Sequence, residues 1–353
     1  MVLNKAGQPH GFRNDGVEPV LMSISVGTGM PKPPVYVCHP RDSDPEAARR
    51  FGAALGNTCV FDPDSGDPRQ QEFARHILRY AERRPVWDAG FARLAYVGEG
   101  GVPPGQYRMD MVHLPKGAGV RGYSRPVEDA YFVIEGCITV GWEASGYQVE
   151  ERLGPKDMVL NQVGRPHGFR NDGVEPVLMS ISVGSGMPKP PVYVCHPRDS
   201  DPAVARHFGA GRGRTYALDP DSDDPRQREF ARHIVRCGER RPSWHAGFAR
   251  SVYIGEGGAP PGKYRMDMIQ LPRGVAVRGY TRPVEDVYFV MEGYITAGWE
   301  EAGRVAEEGL GPKDAIFNPS GRVHYFRNDA VSDATFMMLV GTAEAEDVRF
   351  HAA

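Results

Sequence analysis

Two regimes of hydrophobic patterning alternate along the 353-residue chain. In residues 85–185, and again in 242–342, apolar residues alternate with polar ones or run together in short stretches. Gly, Pro and Asn-Asp signals bound these stretches, which is typical of short antiparallel strands. Many such strands within about 100 residues predict a jelly roll or a small barrel.

The intervening segments, 29–84 and 186–241, are rich in proline and charge, and each predicts one helix. An N-cap aspartate, a proline at the first helical position and a capping-box glutamine begin at Asp67 and, in the second copy, at Asp224. Apolar residues then recur at helical spacing, at Phe73, Ile77 and Tyr80. We expect each helix to pack on the outside of a barrel.

The chain contains an internal repeat with an offset of 157 residues, and each period includes one strand-rich and one helix-containing segment. Residues 1–45 recur at 158–202 with four differences, and two full periods leave 39 residues, so the chain starts in the middle of a repeat. A period of this length has the size of a domain with its linker. The predicted organisation is an orphan second half of a repeat at 1–28, helix-containing linkers at 29–84 and 186–241, and barrels at 85–185 and 242–353.

The orphan half-repeat, residues 1–28, lacks the strands that would close a barrel, and half a barrel exposes sheet edges. Three explanations are compatible with the sequence. The repeat extends upstream of Met1, which corresponds to Met158; the segment pairs with a neighbouring chain; or it docks on the first barrel. The near-identity of the two copies indicates a recent duplication and favours a truncated third repeat.

Composition and charge narrow the class of partner. The net charge is −3 and the pI about 6.4, so no basic field attracts nucleic acid. No run of eighteen apolar residues predicts a membrane span, and the N-terminus has no secretory pattern. Five cysteines without CxxC spacing indicate a reducing compartment. We expect a cytoplasmic protein that binds a small molecule, not nucleic acid or membrane, and homo-oligomerisation stays open.

Two segments resemble the second motif of the cupin superfamily. They are GPKDMVLNQVGRPHGFRN at 154–171 and GPKDAIFNPSGRVHYFRN at 311–328. The later copy contains the complete PxGxxHxxxN pattern, and the earlier copy has Gln162 in place of the proline.

Two upstream segments resemble the end of the first cupin motif, in which an acidic residue precedes an apolar strand that closes on glycine. They are RPVEDAYFVIEG at 125–136 and RPVEDVYFVMEG at 282–293. The resemblance implies an all-β bicupin: tandem jelly-roll barrels with a helix-containing linker before each barrel.

The first motif departs from the cupin pattern, which supplies two histidines and a carboxylate as metal ligands. Carried over by position, the residues here are Tyr123, Arg125 and Asp129, and then Tyr280, Arg282 and Asp286. Of the usual ligands, the second-motif histidine remains in each barrel, and an aspartate replaces the usual glutamate. Because an arginine at a metal position repels a dication, we expect no cofactor.

The alternative is a rearranged site for Fe, Mn, Ni or Zn. Its ligands would be His167 and His324 with Asp129 and Asp286, or with the neighbouring Glu128 and Glu285, and His113 could join the first of these sites.

Strand alternation places Arg121 and Arg278 on the same inward side as the motif residues. These arginines, Arg125 and Arg282 either form an internal network with the aspartates or bind an anionic ligand. We likewise expect the Tyr and Met side of the strands at 107–111 and 264–268 to face the interior.

The leading functional hypothesis is an enzyme of lyase, isomerase or cyclase type acting on a small carboxylate-bearing metabolite. Histidine would serve as general base, tyrosine as acid and aspartate as orienting group, with the arginines binding substrate. The catalytic candidates are His167, Tyr123 and Asp129, and His324, Tyr280 and Asp286. A metal-dependent oxygenase and a non-catalytic binding protein remain as alternatives.

Overall fold

The computed structural model describes residues 58–60, 62, 64–88, 90–144, 147–193, 214–245, 247–302, 304–344 and 348–351. The orphan half-repeat at 1–28 lies outside these ranges. Both described α-helices have nine residues, and neither they nor any other helix in these ranges has the length and apolar character needed to cross a membrane.

The segment before the first barrel contains four short elements. They are β1 (Thr58–Val60), α1 (Pro68–His76), β2 (Ile77–Leu78) and the 3₁₀ helix η1 (Tyr80–Glu82). The first barrel follows with ten strands: β3 (Val86–Asp88), β4 (Phe91–Val97), β5 (Arg108–Leu114), β6 (Gly119–Ser124), β7 (Asp129–Glu135), β8 (Ile138–Ala144), β9 (Tyr147–Leu153), β10 (Met158–Asn161), β11 (His167–Arg170) and β12 (Val177–Val183).

The second linker and the second barrel repeat this order. The linker contains β13 (Val192–Tyr193), β14 (Arg214–Ala217), α2 (Pro225–His233), β15 (Ile234–Val235) and η2 (Cys237–Glu239). The barrel contains β16 (Ser243–His245), β17 (Phe248–Ile254), β18 (Arg265–Leu271), β19 (Ala276–Thr281), β20 (Asp286–Glu292), β21 (Ile295–Glu301), β22 (Arg304–Leu310), β23 (Ala315–Asn318), β24 (Val323–Arg327) and β25 (Ala334–Val340), and β26 (Arg349–Phe350) follows.

Each barrel consists of two sheets. In the first barrel their strand orders are β3-β4-β5-β12-β7-β10-β15 and β13-β6-β11-β8-β9-β14. In the second they are β16-β17-β18-β25-β20-β23-β2 and β1-β22-β21-β24-β19-β26. The two barrels therefore have the same strand order, and each borrows strands from a linker.

The linkers close the barrels in an order that differs from the sequence order. The linker after the first barrel returns to it, since Ile234 of β15 pairs with Val159 of β10. The linker before the first barrel instead completes the second, since Ile77 of β2 pairs with Ile316 of β23. Each linker thus packs on the barrel that it does not precede, which ties the N-terminal linker to the C-terminal barrel.

The two helices follow the same exchange through aromatic contacts. The Phe73 ring of α1 lies edge-on to Trp299 of the second barrel, with 5.3 Å between ring centroids. The Phe230 ring of α2 lies 5.0 Å from Trp142 of the first barrel. Both phenylalanines are fully buried, so both contacts belong to barrel cores.

Helix α1 begins as predicted but ends earlier. The Asp67 side chain accepts a hydrogen bond from the Arg69 amide at 3.0 Å. The capping box does not form, because Gln70 Oε1 accepts from the Asp62 amide instead. The chain leaves the helix at Ile77, where pairing with β23 overrides the helical spacing of the apolar residues.

A third apolar core lies between the barrels and corrects the prediction for β5 and β18. Their Tyr and Met side chains are fully or almost fully buried in this inter-barrel core. They are Tyr107, Met109 and Met111, and Tyr264, Met266 and Met268. The prediction that they face the barrel interior is wrong. Because strand side chains alternate, the charged side of each strand faces the interior instead.

Candidate functional site

In the second barrel, three strands bring a histidine, an aspartate and an arginine together. His324 on β24 lies opposite Tyr280 on β19, and Asp286 begins β20. His324 Nε2 lies 3.1 Å from Asp286 Oδ2, and Arg282 Nε lies 2.9 Å from the same oxygen. Asp286 is fully buried and His324 is almost so. Three of the predicted site residues of this barrel, His324, Asp286 and Arg282, therefore meet around one carboxylate.

Two hydrogen-bond acceptors hold the ring of His324. Its Nδ1 lies 2.7 Å from the Arg322 carbonyl oxygen, and its Nε2 faces the Asp286 carboxylate. Carbonyl and carboxylate oxygens only accept hydrogen bonds, so these two contacts fix the orientation of the imidazole beside the carboxylate.

Two opposing effects act on the pKa of Asp286. Burial alone would raise the pKa of this carboxyl group. The charge and hydrogen bond of His324, followed by Arg282 and Asn318, outweigh burial and hold the pKa below its ordinary value. The aspartate is therefore the ionised centre of the cluster.

A tryptophan and an asparagine, absent from the predicted site, fix the orientation of this carboxylate. Trp299 Nε1 donates to Asn318 Oδ1 at 2.8 Å, and Asn318 Nδ2 donates to Asp286 Oδ1 at 2.7 Å. In the first barrel, Trp142 Nε1 likewise donates to Asn161 Oδ1, at 2.9 Å. The repeat itself was the available signal, because both residue types recur at the 157-residue offset.

A second buried tyrosine accompanies each predicted one. The Tyr280 hydroxyl is hydrogen-bonded to that of Tyr288, and Tyr123 is bonded likewise to Tyr131. Burial raises the pKa of all four phenols above the ordinary value, so they act as neutral hydrogen-bonding groups. Tyr131 could have been found from the sequence, since it lies two residues after Asp129 and shares its side of the strand.

The first barrel contains the matching cluster. Asp129 Oδ1 lies 3.1 Å from His167 Nε2, and Asp129 Oδ2 lies 3.0 Å from Arg125 Nε. The Tyr123 hydroxyl donates to Asp129 at 3.1 Å. Burial opposes ionisation of Asp129, but His167 and then Arg125 outweigh it and lower the pKa. The side chain of Arg121 lies outside the described part of the structure.

A cavity of about 550 Å³ lies beside the cluster of the second barrel. Arginines line it together with His245, Asp267, Tyr280 and apolar residues. The four arginines are Arg250, Arg265, Arg278 and Arg282. His324 and Asp286 are not among the lining residues, so they lie behind Tyr280 and Arg282.

Sequence reasoning missed Arg250, Arg265 and Asp267. Arg250 Nη2 lies 2.9 Å from Asp267 Oδ2, across the β17–β18 pair. Burial raises the pKa of Asp267, and Arg250 opposes that rise. The signal was the alternation of Arg and Asp along β18, which was hidden by assigning the opposite side of the strand to the interior.

Glu128 and Glu285 do not join the clusters, although each precedes a site aspartate. The Glu285 carboxylate accepts a hydrogen bond from the backbone amide of Gln106 in the other barrel. A Cβ placed on Gly262 would lie 2.7 Å from the Glu128 carboxyl carbon, so Glu128 occupies the corresponding position against the second barrel. His113 is also remote, since its Nε2 pairs with the Tyr80 hydroxyl at 2.9 Å.

The barrel residues do not fit a divalent metal. Arg125 and Arg282 place a guanidinium 3.0 and 2.9 Å from the carboxylates that would have to bind it. Throughout the described ranges, no group of three or more His, Cys, Asp or Glu side chains could hold an ion. The rearranged ligand set, with Glu128 and Glu285, is therefore not assembled there.

Comparison with solved structures confirms the fold predicted from the motifs. Lactobacillus farciminis oxalate decarboxylase in a formate complex has a TM-score of 0.59 and 12% identity, over 76% of this chain and 87% of that one. A deletion mutant of Bacillus subtilis oxalate decarboxylase has a TM-score of 0.61 and 12% identity, over 78% and 79%. The chain therefore has the all-β bicupin fold. No protein-family profile matches the chain, and no curated protein sequence does either.

The same comparison contradicts the prediction that no cofactor is used. Another similar structure, of Bacillus subtilis oxalate decarboxylase, was determined in work on its Mn(II) centers. It has a TM-score of 0.59 and 11% identity over 78% of this chain and 79% of that one. The departure of the first motif was therefore too weak a ground for predicting the absence of a metal.

Proposed function

We propose that the chain is a bicupin enzyme that binds a small carboxylate-bearing metabolite inside its barrels and acts on it by acid-base chemistry, as a lyase, isomerase or cyclase. The observation that carries the proposal is the arginine wall of the cavity in the second barrel. Guanidinium groups bind carboxylates in bidentate geometry, and inside a barrel they are worth more than at the surface.

The charge of this wall favours an anion. Four arginines line the cavity, against the carboxylates of Asp267 and of Asp286 behind Arg282. The formal excess is two positive charges. Arg278 is exposed and the other three arginines are partly buried, and bringing these cations together costs free energy that an anionic ligand would offset. The first barrel has arginine and aspartate at all of these positions.

Tyr280 is the group best suited to proton transfer, because it lines the cavity and is hydrogen-bonded to Tyr288. Its raised pKa keeps the phenol protonated at neutral pH, so it would donate to an oxygen of the bound acid as charge develops there. Arg282 would hold the substrate carboxylate. Asp286 and His324 would act as positioning residues, since Asp286 pairs with Arg282 and His324 contacts Asp286.

Binding without chemical conversion is the second candidate function. The specific observation in its favour is that Asp286 and His324 are paired with each other and do not line the cavity. A site of this kind would bind an acid through the arginines and leave it unchanged.

Proton NMR of a panel of carboxylic acids incubated with the full chain tests the enzymatic proposal. The Tyr123→Phe/Tyr280→Phe double variant should lower turnover by about 10²- to 10⁴-fold, because the proton donor is lost and the arginines remain. The His167→Ala/His324→Ala double variant should abolish turnover with an unchanged circular dichroism spectrum. Tyr294→Phe, outside the cavity, is the control.

Full activity in either double variant would overturn the assigned roles. Binding of acids without conversion of any of them would support the second candidate instead.

A further inference from the structure

The cavity of the second barrel has one charged end and one apolar end. From this we infer that its ligand is a monocarboxylate with an aromatic or aliphatic body, bound with the carboxylate at the arginines and the body against the apolar end. The inference rests on the proposed carboxylate-binding function and specifies the substrate class of the same site.

The polarity changes along the two strands of one wall. On β18, inward positions alternate as Arg265, Asp267 and Ile269, so the charged residues come first and the apolar residue last. On β17, Arg250 pairs with Ile269, and Phe248 lies one inward position further toward the apolar end. This wall is therefore charged at the Arg265 end and apolar at the Phe248 end.

The facing strands have the same gradient. β19 begins with Ala276 and Val277, and Val277 pairs with Phe326 of β24. Further along β19, Tyr280 pairs with His324, next to the charged end. The charged groups are therefore concentrated toward one end of the cavity and the apolar groups toward the other, except that His245 lies beside Phe248 and Phe350 beside Tyr280.

Two phenyl rings meet at the apolar end. Phe248 and Phe326 lie edge to face, with 6.1 Å between their centroids. Phe248, Ala276 and Val277 are only half-buried although they line the cavity inside the barrel. Covering such apolar surface with an apolar part of a ligand removes it from water, which favours binding.

The size of the cavity agrees with a ligand that has an aromatic or aliphatic group in addition to its carboxylate. About 550 Å³ lies within the range of pockets for cofactors and larger metabolites. A two-carbon diacid would pair with the arginines at the charged end but would leave the Phe248 end unfilled.

The Met338 methyl group can report binding to this barrel alone. Met338 lines the cavity, with its sulfur 3.6 Å from Arg282 Nη2, and the equivalent residue of the first barrel is Ile181. In full-length protein labelled with carbon-13 at the methionine methyl groups, a Met338→Leu variant assigns the resonance. Titration with propanoate, oxalate and 3-phenylpropanoate then gives three dissociation constants.

We expect 3-phenylpropanoate to bind at least about tenfold more tightly than propanoate, which has the same charge, and than oxalate. Ala276→Leu, which fills the apolar end, should weaken 3-phenylpropanoate about tenfold and leave propanoate unchanged. Arg278→Gln should weaken both acids. Tyr294→Ala, an exposed aromatic outside the cavity, should change neither.

Equal affinity for the three acids, or equal effects of Ala276→Leu on both monocarboxylates, would overturn the inference and leave the proposed function standing. If none of the acids shifted Met338, the carboxylate site itself would be wrong.

Discussion

Asp286 and His324 lie 38 residues apart in the sequence, yet their side chains meet at 3.1 Å in the interior of the second barrel. Asp129 and His167 meet at the same distance in the first. In both barrels an arginine four residues before the aspartate contacts the same carboxylate. The buried carboxylate thus joins a histidine and an arginine, and the first two predictions below depend on these contacts.

Replacing this anion should destabilise the second barrel. Asp286→Asn leaves Arg282 without its counter-charge and removes the carboxylate that contacts His324, so we expect a loss of about 3–5 kcal/mol in the free energy of unfolding at pH 7. Urea unfolding measures it. Asp129→Asn is the matched variant in the first barrel. A loss below about 1 kcal/mol would contradict a stabilising role for the charge of this carboxylate.

The lowered pKa of Asp286 predicts that the stability of the protein depends on pH. The folded pKa of Asp286 lies below its unfolded value, so the stability contributed by its ionised form is complete above the unfolded pKa. That contribution declines below about pH 4 and is lost once the pH falls through the folded pKa. The difference in unfolding free energy between wild type and Asp286→Asn should therefore shrink from pH 5 to pH 3. A constant difference would show that charge is not its cause.

The exchanged linkers predict which barrel each helix stabilises. Phe73→Ala removes a fully buried ring from the second barrel, at a cost of about 3–5 kcal/mol, although Phe73 precedes the first barrel in sequence. Hydrogen exchange should accelerate in β23 and β24 and stay slow in β10 and β11. Phe230→Ala should have the reverse effect, which makes the two variants controls for each other. Faster exchange in the adjacent downstream barrel alone would contradict the linker exchange.

Removing a negative charge from the cavity wall should strengthen anion binding. Asp267→Asn keeps the shape of the side chain, and we expect 3-phenylpropanoate to bind about tenfold more tightly at the Met338 reporter. Asp110→Asn, the equivalent change in the first barrel, should leave that reporter's affinity unchanged. Weaker binding in Asp267→Asn would mean that Asp267 serves to orient Arg250 rather than to set the charge.

Glu285 should stabilise the contact between the barrels and not the site. Glu285→Ala leaves the Gln106 amide without its acceptor, so we expect a loss of about 1–3 kcal/mol in stability and an unchanged affinity for 3-phenylpropanoate. Glu292 also reaches the other barrel, through an exposed ion pair with Lys156. Glu292→Ala should therefore cost less than about 1 kcal/mol. A changed affinity in Glu285→Ala would link Glu285 to the site after all.

Local sequence was sufficient for features that depend on a few neighbouring residues. The strand patterns and the two motifs predicted the all-β bicupin, and the helical start at Asp67 followed from its cap. An ion pair between Arg125 and Asp129 was one of the two alternatives that the sequence left open, and the structure contains it. These features need no information about distant parts of the chain.

Contacts between distant segments were decided only by the tertiary structure. Periodicity identifies two sides of a strand, but it does not say whether the apolar side meets the barrel interior or the other barrel, and for β5 and β18 it is the other barrel. That choice placed Arg265 and Asp267 in the cavity and left Glu285 at the inter-barrel contact. The exchange of linkers was equally hidden, because similar repeats offer each helix two similar docking surfaces. Burial against a surface depends on what reaches it in space, whereas alternation along a strand depends only on backbone geometry.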